Sequence, residues 1–105
     1  MPSSHIADEA RVVCETPTPG KQPTRILKWK YDLVREAILA AVSLRETSVE
    51  FRGLRDLVAA QLSEEQLSKL GSVSWYTTTV KLDMEVKGEI ERVPGSRPQR
   101  IRRVV

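Results

Sequence analysis

Five arginines and no acidic residue occupy the chain from Arg92 to its end, four of them being Arg97, Arg100, Arg102 and Arg103. A guanidinium is a planar, permanently charged fork that matches the oxygens of a phosphate, so such a cluster suits contact with a polyanion. Ahead of it, Ser74, Thr77, Thr78 and Lys81 recur at steps that place them along one flank of a helix. Hydroxyls and an ammonium there could meet sugar-phosphate or base edges. A solvated charged hairpin is the plainer account of the arginines.

Other chemistry finds little support. His5, the only histidine, stands in a polar N-terminal stretch without convergent partners for a metal or a general base. Cys14 is the only cysteine, which excludes an internal disulfide and any multi-cysteine metal site. Without a nearby base it reads as a small buried apolar residue. Asp83 and Glu85 are two apart, so on a helix their carboxylates diverge. There is no phosphate-binding glycine loop and no zinc spacing. The residues therefore favour an enzyme least of all classes and call for no cofactor and no metal.

The elements that must position these groups follow from periodicity. Val73, Tyr76, Val80 and Met84 share one side of a helix, and Gly88, just after Lys87, supplies its stop. Glu89–Val93 and Gln99–Val104 alternate as strands about a Pro94–Pro98 turn, which predicts a hairpin. Upstream, Leu33, Val34, Ala37, Ile38, Ala41 and Val42 form the apolar stripe of a helix beginning near Ile26 and broken at Arg45–Ser48. Val49–Phe51 reads as a short strand pairing with the hairpin, which removes a bare sheet edge. Gly53 opens a helix with Leu54, Leu57, Val58 and Leu62 inward, and Ser63 to Gln66 matches a capping box for a further turn or two, anchored by Leu67 and Leu70. This order predicts an α+β winged helix-turn-helix. It has three main helices, a helical connection and a small antiparallel sheet with a C-terminal hairpin wing, over residues 26–105.

Residues 1–25 form an N-terminal arm with a loose start, a candidate strand at Arg11–Glu15 and a proline-rich turn through Thr16–Pro23. At 105 residues the chain is one small domain with a small core. No run approaches the length of a transmembrane span and the N-terminus has no signal pattern, so a cytoplasmic location is expected. The formal charge is +3, and its placement is uneven: residues 21–30 carry Lys21, Arg25, Lys28 and Lys30 without an acid.

Lys30-Tyr31, Ala37-Ile38-Leu39, Gly53-Leu54, Trp75 and the run Val80–Arg92, together with Pro19-Gly20-Lys21, resemble a small bacterial winged-helix family of unknown function. The likeness extends over most of the chain from about Val12. It implies the fold and brings no catalytic or binding residues with it.

Two functions follow as expectations. The first is double-stranded DNA binding, as by a small transcriptional regulator, with Ser74, Thr77, Thr78 and Lys81 on the helix and Arg97, Arg100, Arg102 and Arg103 on the wing. Against it, Trp75, Leu82 and Val86 fall nearly opposite the first apolar side of the helix, where a DNA reader would carry Arg, Lys, Asn or Gln. That second stripe needs cover. The simpler cover is internal, with Trp75 in the core beneath the arm and Ile26, Leu27 or Trp29 across it. The alternative function uses Trp75, Leu82 and Val86 as a partner interface or a homodimer contact.

Overall fold

The computed structural model describes residues 10–43 and 48–104. The expectations for Met1–Glu9, His5 and the break at Arg45–Thr47 fall outside these. Two strands come first, β1 (Arg11–Cys14) and β2 (Thr24–Leu27), paired antiparallel with Cys14 opposite Thr24 and Val12 opposite Ile26. Helix α1 (Lys28–Ser43) follows, then β3 (Val49–Glu50), α2 (Phe51–Ala60), α3 (Glu64–Leu70), α4 (Val73–Val86), β4 (Ile90–Arg92) and β5 (Arg100–Arg103). The second sheet has the order β3-β5-β4, antiparallel throughout. The molecule is thus a mixed α+β domain with four described helices and two small antiparallel sheets.

The local chemistry explains the boundaries. Ser63 and Gln66 make the reciprocal capping box: the Gln66 amide donates to Ser63 Oγ at 3.1 Å and the Ser63 amide to Gln66 Oε1 at 2.8 Å. Ser72 caps α4 by accepting from the Trp75 amide at 3.1 Å. At the other end Gly88, at φ 78°, turns the chain so that the Glu89 amide reaches the Met84 carbonyl and the Gly88 amide reaches that of Glu85. This is a Schellman stop, and it delivers the chain straight into β4.

The core lies where the helices and both sheets converge. Tyr31, Val34, Ala37, Ile38, Ala41 and Val42 of α1 meet Leu54 and Val58 of α2, Leu70, and Val73, Val80 and Met84 of α4. Val49, Ile90 and Ile101 close it from the second sheet, Cys14 and Ile26 from the first. Fully burying each of these larger side chains contributes roughly 1.5–3 kcal/mol.

Three boundaries differ from the sequence reading. Residues 26 and 27 end β2 rather than opening α1, and Phe51 starts α2 rather than ending a strand, so Gly53 stands inside the first turn. The third concerns the arm. Instead of stopping at residue 25, its ordered part pairs across that boundary as a hairpin, because Cys14 and Ile26 share the buried side while Val13 and Arg25 face out. A strand was expected at Arg11–Glu15; its partner strand overlaps what looked like a helix start.

Candidate functional site

Helix α4 runs between two hairpins, and each is fastened to one of its flanks by a buried charged residue. On the C-terminal side the fastener is Lys81, 1% exposed. Its ammonium pairs with Glu85 one turn on, donates to Gln99 Oε1 at 2.8 Å, and sits 4.4 Å from the centroid of the Phe51 ring. Glu85 also takes Arg92 Nε of β4 at 2.9 Å. A buried ammonium is tolerated only with such partners. Burial lowers the Lys81 pKa, against the opposing pull of Glu85.

On the N-terminal side the fastener is Asp83, fully buried. Its carboxylate accepts from the Glu15 amide at 2.9 Å, from Tyr31 Oη at 2.5 Å and from Lys87 Nζ at 2.6 Å. Three elements are thereby joined: the end of β1, α1 and α4. Burial pushes the Asp83 pKa up, but hydrogen bonds from Lys87, Tyr31 and the Glu15 amide together hold it below the usual carboxylate value. The same environment raises Tyr31 to about 12, chiefly by burial and then through Asp83. Cys14, nearby, is raised to about 11 by burial and then by the Asp83 charge, so it is a protonated core residue and not an activated nucleophile.

These ties correct the reading of one helix flank. Ser74 and Thr78 are exposed, but Thr77 is buried, with its hydroxyl unpartnered among the described residues, and Lys81 is consumed by the tie to Glu85 and Gln99. Neither Thr77 nor Lys81 can reach a surface ligand without repacking. The rotation explains it: at about 100° per residue Lys81 falls beneath the edge of the C-terminal hairpin, whose position the sequence did not reveal.

The arginines of the C-terminal hairpin also separate. Arg100 donates to Ser48 Oγ at 2.6 Å and to the Ser48 carbonyl at 2.8 Å. Arg102 pairs with Glu91 across the hairpin at 2.6 Å, and Arg103 reaches Ser43 Oγ at 2.6 Å. Arg97, exposed in the tip loop, makes no hydrogen bond or ion pair among the described residues. The Arg102–Glu91 pair is half-exposed on both sides, and such pairs exchange readily because they contribute about 0–1 kcal/mol.

Between the hairpins the outer face of α4 is open. Trp75 is 46% and Val86 43% exposed, three turns apart on one line, with half-buried Leu82 between them. Trp75 is therefore not core, contrary to the simpler expectation. It rests edge-on against Tyr76, with ring centroids 4.8 Å apart. Ile26 is itself buried in the core, and the Lys30 ammonium lies 5.5 Å from the Trp29 ring and 4.9 Å from that of Tyr76. What the N-terminal hairpin does cover is the Leu82 flank, where its loop and α4 enclose a cleft of about 220 Å³.

Asp83, Tyr31 and Glu15 were not legible as a site. The Asp83–Lys87 and Lys81–Glu85 spacings were, since residues four apart on a helix meet, but nothing in the sequence told which pair would be buried. Among the described residues no group of three His, Cys, Asp or Glu side chains could hold a metal ion, and no helix is long and apolar enough to cross a membrane.

The class defined so far is a small α+β domain in which one capped helix is held between two β-hairpins. No match was found to a curated protein or to a solved structure. The sequence does match a family of unknown function, DUF6958, over residues 11–101, and the chain belongs to that family.

Proposed function

We propose that the domain is a winged helix-turn-helix that binds double-stranded DNA, in the manner of a small transcriptional regulator, chiefly through the phosphate backbone. Support comes from the order α1-β3-α2-α3-α4-β4-β5 and the β3-β5-β4 sheet, in which α4 occupies the place of a recognition helix and β4-β5 that of a wing. The observation that carries the reading is Arg97 at the hairpin tip, free among the described residues and two positions from the Gln99 that touches α4, a helix on which Ser74 and Thr78 are also exposed. Arg102 joins it by exchanging Glu91 for a phosphate. Arg100 and Arg103 serve mainly to hold the wing to Ser48 and Ser43. The open face of α4 lacks Arg, Lys, Asn and Gln, so base reading is weak and affinity is mostly electrostatic.

The test is fluorescence anisotropy with a labelled duplex between about 50 and 200 mM salt. Binding weakens steeply over that range, and Arg97→Ala lowers the log–log salt slope by about 0.9 while leaving the urea midpoint unchanged. Absence of salt-dependent binding would overturn the reading.

A second reading is favoured by one observation, the pair Trp75 and Val86 open on the same line of α4. It makes that face a homodimer or partner contact around Trp75, Leu82 and Val86. Light scattering across a concentration series decides it: a dimer that Trp75→Glu returns to monomer supports the contact, and a monomer throughout removes the homodimer.

A further inference from the structure

The basic run at residues 21–30 is divided by the fold. Lys28 pairs with Asp32 at 2.6 Å. Lys30 donates to the Leu70 carbonyl at 3.0 Å and to Tyr76 Oη at 3.3 Å. Lys21 and Arg25, both exposed, make no hydrogen bond or ion pair among the described residues. Lys21 stands in the β1–β2 loop, sharing the wall of the 220 Å³ cleft with Gln22, Thr79 and Leu82. Arg25 is opposite Val13 on the outer side of the hairpin, as the register with Cys14 and Ile26 inward requires.

Their position relative to α4 matters. Lys81 and Glu85 mark the flank tied to the C-terminal hairpin; Thr79 and Asp83 mark the flank tied to the N-terminal one. At about 100° per residue these two flanks lie on opposite sides of the open line through Trp75, Leu82 and Val86. The two hairpins also face one another across a further cleft, with Pro17 and Pro19 on one wall and Ile90 and Arg92 on the other. A helix with its side chains is about 10–12 Å wide and the major groove of B-DNA about 12 Å. A helix seated there has a phosphate strand on each side. One wing can meet only one of them.

Resting on the DNA-binding reading, we propose that the β1–β2 hairpin is a second wing, placing Lys21 and Arg25 on the phosphates of the strand that the C-terminal wing does not touch. Residues 11–27 carry Arg11, Lys21 and Arg25 against one acid, Glu15. The Glu15 backbone amide is bound to Asp83, so this anchor of the hairpin does not consume Lys21 or Arg25. The buried Asp83 makes the hairpin a fixed part of the binding surface rather than a tethered tail.

The experiment measures salt slopes for the full chain on the same duplex: wild type, Arg97→Ala, the double variant Lys21→Ala/Arg25→Ala, and the charge-conserving Lys21→Arg/Arg25→Lys. The double alanine variant lowers the slope by about 1.8, twice the value for one phosphate contact, and binds about tenfold or more weakly at the lower salt. The charge-conserving variant keeps the wild-type slope, and urea midpoints stay the same because both side chains are exposed. A double alanine slope equal to wild type, on a duplex that wild type and Arg97→Ala distinguish, overturns the second wing alone. A wild type that shows no salt-dependent binding overturns the DNA reading and the second wing with it.

Discussion

Replacing Asp83 by alanine tests the account of how the N-terminal hairpin is held. The carboxylate is completely buried and accepts three hydrogen bonds, from Glu15, Tyr31 and Lys87. Alanine strands the Tyr31 hydroxyl, which is itself buried, and the Glu15 amide; Lys87 is 47% exposed in its side chain and can turn to water. Leaving a buried hydrogen-bonding group without its partner costs about 1–3 kcal/mol, so two such groups take a large part of the roughly 5–15 kcal/mol that holds a domain folded. Asp83→Ala should therefore lower the thermal midpoint by about 15 °C or more. Asp83→Asn keeps the shape and part of the hydrogen bonding, and costs less. The pH dependence adds a sign. Because the folded pKa of Asp83 is depressed, its contribution is present above the unfolded value of about 3.9 and is lost as pH falls through the lower folded value. Wild type and Asp83→Asn should converge as pH drops through that window. Urea titrations at several pH values, with amide exchange at Glu15, measure all of this. An Asp83→Ala protein within about 0.5 kcal/mol of wild type would refute the idea that this carboxylate fastens the hairpin.

At the alkaline end, Tyr31 and Cys14 have raised pKa values, about 12 and about 11, so their stabilising effect is intact below their ordinary values and is lost as pH rises through that range. Urea midpoints should fall above about pH 9, and Tyr31→Phe with Cys14→Ala should flatten that fall. Lys81→Ala leaves Glu85 with Arg92 as its only cation among the described residues and removes the tie to Gln99. It should cost about 3 kcal/mol in a urea titration and speed amide exchange at Phe51, whose amide donates to the Gln99 carbonyl.

Much of the architecture was written in local patterns. The capping box at Ser63 and Gln66, the stop at Gly88, the alternation of residues 89–93 and 99–104, and the inward line Val73, Val80, Met84 each involve residues a few positions apart. Such signals survive in one dimension because hydrogen-bond geometry and helical or strand periodicity act over that range. Strand β2 was missed because four residues followed at once by a helix offer no period of their own.

The candidate site was less legible, because its character depends on which flank of α4 each hairpin covers. Composition placed five arginines near the C-terminus, yet only the packed chain separates Arg97, left free, from Arg100 and Arg103, which hold Ser48 and Ser43. Local spacing likewise offered both Lys81–Glu85 and Asp83–Lys87 as helix pairs. Tertiary structure turned Lys81 and Asp83 inward as opposite anchors, and left Trp75 and Val86 outside. Sequence alone sets the elements and their caps, since those interactions close within a turn or two. The exposure of a charge is set by contacts between residues tens of positions apart, such as Glu15 with Asp83, and these exist only once the chain is packed.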